Sequence, residues 1–247
     1  VVPWLGLLLA LQTHSLAAAP TLSQATAVRA TRAAEPPVLD GRDDEPIWRS
    51  APAIGQFVQA KPAEGAAPRF RTEARIAYDA RNLYVFVRAF DPRPDSIVSL
   101  LSRRDDQTAS DQIIVMLDPY HDRRTGYEFV VNPAGVKVDY AIYNDGDDDV
   151  AWDAVWDAAT RIDSLGWTAE YRIPLSQLHY SARSDVTFGL LVWRYIQRHG
   201  ETLTWPLYRT SRSGLPSQFG ELTGLEGLAS PGHAELTPYL VTKSVPG

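Results

Sequence analysis

The sequence predicts an all-β protein, an antiparallel β-sandwich of the jelly-roll or immunoglobulin-like kind, on three observations. Between Arg69 and Gly227, short apolar or alternating segments recur at close intervals, bounded by Gly, Pro, Asn or Asp. Helical periodicity is almost absent from that stretch. Finally, 7 Trp, 11 Tyr and 7 Phe in 247 residues can supply both a large core and a separate aromatic surface.

The elements follow in order. Residues 70–79 (FRTEARIAYD) alternate charged and apolar side chains over part of their length, as a half-buried strand does. Asp79-Ala80-Arg81-Asn82 reads as a turn, and residues 83–90 (LYVFVRAF) as a buried strand. Asp91-Pro92-Arg93-Pro94 ends it, because two prolines remove two ladder donors. Residues 113–118 (IIVMLD) form a core strand. Residues 127–131 and 136–143 flank Asn132-Pro133-Ala134-Gly135, where Pro presets φ and Gly closes the turn; this is the clearest hairpin of the chain. Further strands are expected at 154–162, 167–173, 186–195, 203–208 and 220–225. Residues 174–178 (PLSQL) suit one helical turn with Pro at its permitted first position.

The two ends read differently. Residues 1–11 (VVPWLGLLLAL) are a short apolar run, followed by the small residues 15–19 (SLAAA). That pattern is expected of a secretory signal peptide over 1–19 lacking its true start, and it is too short for a membrane-spanning helix. Residues 20–35 read as an Ala-, Thr- and Pro-rich linker. The sandwich is expected over 36–230, with 231–247 as the start of a further C-terminal region that opens on strand-like residues 233–241.

Composition excludes several chemistries. No cysteine is present, which removes disulfides, thiolate catalysis and cysteine-based metal sites. The net charge is −6, and only Lys61, Lys137 and Lys243 are lysines, so no basic stripe tracks nucleic acid. There is no nucleophile elbow, no phosphate-binding glycine motif, and no pair among His14, His121, His179, His199 and His233 at metal-ligand spacing. Glycoside hydrolysis needs two facing carboxylates, and with 30 acidic residues some pair fits by chance, so no catalytic pair is assigned.

Residues 144–157 (NDGDDDVAWDAVWD) carry more information. Asp145, Asp147, Asp149 and Asp153 are candidate ligands of a structural Ca²⁺, which would relieve their mutual repulsion. The EF-hand pattern fails at Val150 and Trp156, and a solvated acidic turn is the alternative. Trp152 and Trp156 lie four apart, which on a strand places them on one face. Rings beside carboxylates suit a sugar, whose C–H face stacks while acids accept its hydroxyls. The alternative is a core contact under the acidic loop. Trp48, Trp167, Trp193 and Trp205 sit among apolar neighbours and are expected in the core.

These residues also carry a resemblance. Val38-Leu39-Asp40-Gly41 through Pro46-Ile47-Trp48, then Ala77-Tyr78-Asp79 with Leu83-Tyr84-Val85, resemble the family 9 carbohydrate-binding modules and related DOMON-like domains. The likeness continues through Asp111 to Asp118, through Phe129-Val130-Val131-Asn132-Pro133-Ala134-Gly135, and through Gly166-Trp167 to Ile173-Pro174. It implies a β-sandwich that binds saccharides without catalysis, in some members with Ca²⁺ or attached to glycoside hydrolases. In xylanase-linked members two aromatic rings enclose a terminal sugar; here the stretch where sugar binders commonly have Trp reads Gln107-Thr108-Ala109-Ser110.

Trp152-Asp153-Ala154-Val155-Trp156, Arg194 with Arg198, Glu201 through Trp205, and Leu236-Thr237-Pro238-Tyr239 further resemble bacterial proteins in which the module precedes an outer-membrane β-barrel. On that basis the expected ligand is a saccharide, stacked by Trp152 and Trp156 with polar contacts from Tyr127, Arg194 and Glu201. Localisation is expected in the periplasm or outer membrane, with covalent continuation into a membrane barrel. A structural, plug-like periplasmic domain without sugar binding and an accessory domain of a glycoside hydrolase are the alternatives.

Overall fold

The computed structural model describes residues 26–181 and 185–229. In chain order the elements are β1 (Ala27–Arg29), β2 (Thr31–Arg32), α1 (Pro46–Ser50), β3 (Val58–Lys61), β4 (Thr72–Tyr78), β5 (Asn82–Phe90), β6 (Gln112–Asp118) and β7 (Gly126–Val131). Then come β8 (Lys137–Tyr143), β9 (Asp147–Asp149), β10 (Asp157–Asp163), β11 (Gly166–Pro174), β12 (Asp185–Ile196), β13 (Glu201–Trp205) and β14 (Gly220–Glu226). The helical turn expected at 174–178 is a 3₁₀ turn, Leu175–Gln177.

Two sheets form the sandwich. The larger runs β1-β14-β12-β6-β7-β8-β9, with β13 on β12 and β3 on β13; the smaller runs β10-β11-β5-β4-β2. The long β12 serves two neighbours on one edge: Asp185 to Leu190 pair with β14, and Val192 to Ile196 with β13. Between the sheets lies the main core, which includes Val85, Val87, Val115, Leu117, Phe129, Trp167, Tyr171, Phe188 and Leu190, all at zero exposure. Burying each such large apolar side chain stabilises the fold by about 1.5–3 kcal/mol.

Polar side chains fix the turns that aim these strands. At the expected 79–82 turn, Asp79 Oδ1 accepts the N–H groups of Arg81 and Asn82 at 2.7 and 2.8 Å. In the hairpin between β7 and β8, Asn132 Oδ1 accepts from Ala134 and Val136 at 3.0 Å, while Gly135 takes a φ of +80°.

Two expectations are corrected. The linker over 20–35 is not free over 27–33: β1 pairs in parallel with β14 and β2 in parallel with β4, so this segment closes one edge of each sheet. Ala30 N–H bonds Thr223 C=O at 2.9 Å and Ala33 N–H bonds Tyr78 C=O at 2.8 Å. Edge strands with unpaired backbone groups accept such a strap whatever its side chains, which is why an Ala- and Thr-rich composition concealed it. The strand expected at 154–162 begins only at Asp157, and residues 151–156 are irregular, so the same-face argument for Trp152 and Trp156 fails. The leader over 1–19 and the tail over 231–247 lie outside the described residues.

Candidate binding site

Strand alternation gives the larger sheet a second apolar face, turned away from the smaller sheet. Ile114 and Met116 from β6, Val130 from β7, Val138 and Ile142 from β8, Leu191 from β12 and Phe219 pack into one cluster there. Tyr140, Trp193, Tyr208 and Leu215 pack against it while staying half-exposed. Register explains the pattern. Leu191 opposes Met116, Met116 opposes Glu128, and Glu128 opposes Tyr140; in the next row lie Trp193, Ile114, Val130 and Val138. The Trp193 and Tyr208 rings meet at 5.5 Å and 41°.

Two loops bound this face. The segment between β13 and β14 is held to the turn before β9, because Asp145 Oδ1 accepts the N–H groups of Leu215 and Ser217 at 3.0 and 2.9 Å. Gly214 allows that approach, since a Cβ there would lie 2.2 Å from Asp145 Oδ2. Gln218 Nε2 ties the same loop internally to Gly214 C=O at 2.8 Å. From the other side, the segment between β5 and β6 reaches over β8: Gln107 Nε2 donates to Tyr140 Oη at 2.8 Å, and Asp105 N–H bonds Lys137 C=O at 3.1 Å.

Glu128 is the charged residue of this floor, and no ion pair reaches it among the described residues. Desolvation, reinforced by the Asp148 carboxylate, pushes its carboxyl up to about 7. Tyr140 beside it is raised too, by burial first and by the charge of Glu128 among its smaller causes. Aromatic rings, a carboxyl acceptor and amide donors on an apolar floor can stack a ring and bond its polar edge.

The sequence-expected residues fall elsewhere. Trp156 is 2 % exposed, stacks on Tyr171 at 5.7 Å, and donates from Nε1 to Asp139 Oδ1 at 2.9 Å. It is a core residue, because a buried ring offers no face to a ligand. Arg194 is also buried: Nη1 reaches Arg71 C=O and Thr72 Oγ1, both at 3.0 Å, and Nη2 reaches Phe90 C=O at 2.9 Å. Burial pulls its guanidinium down to about 10. Glu201, 2 % exposed, accepts from Arg69 N–H at 2.9 Å and Nε at 3.3 Å. Arg194 and Glu201 are therefore corrected to joints between the sheets and loops. Tyr127 and Trp152 do come together, half-exposed, with ring centroids 4.7 Å apart.

The acidic segment is likewise occupied. Asp145 holds the loop, Asp147 Oδ2 accepts from Asn144 at 3.2 Å, Asp149 Oδ1 from Ala151 N–H at 2.9 Å, and Asp153 pairs with Arg104 at 2.5 Å. Among the described residues no group of three or more acidic or histidine side chains is arranged to hold a metal. In the structure Asp145, Asp147 and Asp149 serve as turn fastenings and Asp153 as half of an ion pair.

Sequence reasoning missed Glu128, Tyr140 and Tyr208, and it put Trp193 in the core, whereas Trp48, Trp167 and Trp205 are buried as expected. A signal existed: Glu128 is a lone acid inside the apolar run 127–131, directly across the hairpin from Tyr140.

Comparison with known proteins follows the same lines. The model of the family described as carbohydrate family 9 binding domain-like matches residues 39–225. No curated protein matches the chain. A family 9 carbohydrate-binding module from Caldicellulosiruptor kristjanssonii in complex with cellotriose is similar, with 18% identity over 86% of this chain and 100% of that one, at a TM-score of 0.58. The structure described as the same kind of module from that organism with glucose gives 18%, 86%, 100% and 0.59. A candidate carbohydrate-binding protein from Bacteroides uniformis gives 14% identity over 80% of this chain and 98% of that one, at 0.62. At such identities the likeness establishes the sandwich fold.

Proposed function

Because this chain belongs to the carbohydrate family 9 binding domain-like family, we propose that it binds saccharides without catalysis, on the outer face of its larger sheet. The observation that carries this reading is the juxtaposition of Trp193, Tyr208 and Tyr140 with Glu128 between two fastened loops. A pyranose has an apolar C–H face and a rim of hydroxyls. Trp193 and Tyr208 supply the surface for the first; Glu128 and Gln107 supply an acceptor and a donor for the second. Loops fixed before the ligand arrives lose little entropy on binding.

The solved modules named above that hold cellotriose and glucose support a neutral glucan as the first ligand to try. Export is part of the same reading, supported by the apolar run 1–11 and the small residues 15–19. Among the described residues no helix is long and apolar enough to cross a membrane. A continuation into a membrane barrel rests on the resemblance of Leu236-Thr237-Pro238-Tyr239.

A glycan array with the full chain tests the proposal. Reproducible binding to one saccharide class, weakened at least tenfold by Trp193→Ala, is the expected result, since that loss corresponds to about 1.4 kcal/mol, within the range for a central aromatic contact. A blank array from folded protein would refute it and favour a structural domain.

A further inference from the structure

We propose that Tyr120, Tyr127 and Trp152 form a second saccharide platform, separate from the first, which stacks a neutral pyranose. Separation follows from β7 itself. Its side chains alternate across the larger sheet, so Glu128 and Val130 face the outer floor while Tyr127 and Phe129 point the other way. The sheet thus stands between the two sites.

The platform lies where the β6–β7 turn meets the acidic loop. Tyr127 and Trp152 are half-exposed and packed at 4.7 Å with a 35° tilt, and Phe129 and Trp152 meet in a T-shaped contact at 5.9 Å. Tyr127 Oη bonds His179 Nδ1 at 2.7 Å, which fixes the plane of the phenol. Tyr120, two residues past β6, is 57 % exposed, and Val150 and Val155 flank the loop at 75 % and 74 %.

The loop that carries Trp152 is held at Ala154, by the same Asp139 that fixes Trp156 in the core. Ala154 N–H bonds Asp139 Oδ2 at 2.7 Å, Ala154 C=O accepts from Arg104 at 2.7 Å, and Val155 N–H bonds Gln177 Oε1 at 3.0 Å. Trp152 therefore projects from a preorganised base. Beside it, Asp149 and Asp153 each have one oxygen engaged, by Ala151 N–H and by Arg104, and each exposed side chain keeps a second oxygen as an acceptor for hydroxyl groups. The charge of Asp147, Asp149 and Asp153, offset only in part by the Arg104–Asp153 pair, repels anionic sugars, so the ligand class is neutral.

The test uses the full chain as wild type, Trp193→Ala, Tyr120→Ala, Trp152→Ala and the double variants with Trp193→Ala, each checked for a cooperative melt. Titration calorimetry with cellotriose, xylotriose and mannotriose is run beside trigalacturonate. The expected result is that Trp193→Ala retains saturable binding of at least one neutral trisaccharide. That residual binding falls at least fivefold with Tyr120→Ala, an exposed position that leaves folding intact, and disappears with Trp152→Ala.

Residual binding indifferent to both changes, or trigalacturonate bound as tightly, overturns the platform. So does Trp193→Ala abolishing all binding, an outcome that leaves the outer-face site standing. Wild-type binding unaffected by Trp193→Ala but lost with Trp152→Ala would overturn the outer-face site and support the platform. No binding by wild type would overturn both.

Discussion

Replacing Glu128 by Gln should stabilise the protein above neutral pH and leave it unchanged in acid. The carboxyl sits at about 7 in the folded chain, against an ordinary value of 4.5. A raised carboxyl means that the native state holds the proton more tightly than the unfolded chain. Its contribution is fully present below pH 4.5 and is lost as pH rises through 7. At about 1.4 kcal/mol per unit, the loss reaches at most roughly 3 kcal/mol, less whatever solvent at this half-exposed site screens.

Gln keeps the shape and carries no charge, so the difference between the two chains isolates this group from the other carboxylates, including Glu170, which is also raised to about 7. For a domain of this size each kcal/mol moves the midpoint by about 2–4 °C, so the gap should open to at most about 6–12 °C by pH 8. Thermal melts by circular dichroism at half-unit steps from pH 4 to 8.5 measure it. A gap independent of pH, or a Glu128→Gln variant that melts lower than wild type at pH 8, would refute the argument. If the gap opens as described, a costly carboxyl is being retained on the face where a ligand's hydroxyls would meet it, and the same substitution should weaken saccharide binding.

Trp156→Phe should destabilise the fold by about 1–3 kcal/mol in urea titration, because Asp139 loses its Nε1 donor, while saccharide affinity of the folded fraction stays unchanged; an affinity loss with full folding would return Trp156 to a binding site. Asp145→Ala should cost about 1–2 kcal/mol and speed proteolysis between residues 206 and 219, since two backbone donors lose their acceptor. Chelator added to the wild type should leave its melting temperature in place, and a fall would restore a bound cation to the account.

Strands were legible where their side chains alternate or run apolar, as in β5, β6 and β12, and where a turn residue marks their end, as Asn132 does for β7 and β8. What stayed hidden has a common cause: pattern reports which residues lie on a strand, but not what each face meets. Trp193 and Arg194 are neighbours on β12, an aromatic and a cation, and polarity alone puts the first inside and the second outside. The sheet places Trp193 on the outer floor and Arg194 between the sheets, where Arg71, Thr72 and Phe90 accept from both Nη atoms and the carboxylates of Asp111, Asp91 and Glu201 offset the buried charge. The strap over 27–33 was hidden for a different reason, since parallel edge pairing uses backbone groups and needs no side-chain signal.

The segments that made the sequence recognisable do a job distinct from ligand binding. In the opening motif, the N–H groups of Asp40 and Gly41 and Trp48 Nε1 all donate to Glu170, at 3.0, 2.9 and 3.1 Å, and Glu170 belongs to the closing motif on β11. Asp111 accepts from Gln197 N–H at 3.1 Å, and Asp118 from Arg123 N–H at 2.8 Å. Asn132 reaches Leu100 C=O at 2.7 Å as well as its own turn. Glu170, Asp111 and Asn132 thereby join chain segments far apart in sequence, while Asp118 holds the turn between β6 and β7, so such a signature specifies the sandwich and its turns. The outer floor is built from Met116, Glu128, Tyr140 and Trp193, whose side chains alternate with the inward-facing ones and take part in none of those joints. On the proposed reading, ligand choice rests with these floor residues and not with the joints, so the motifs make the fold legible while the saccharide is to be found by titration.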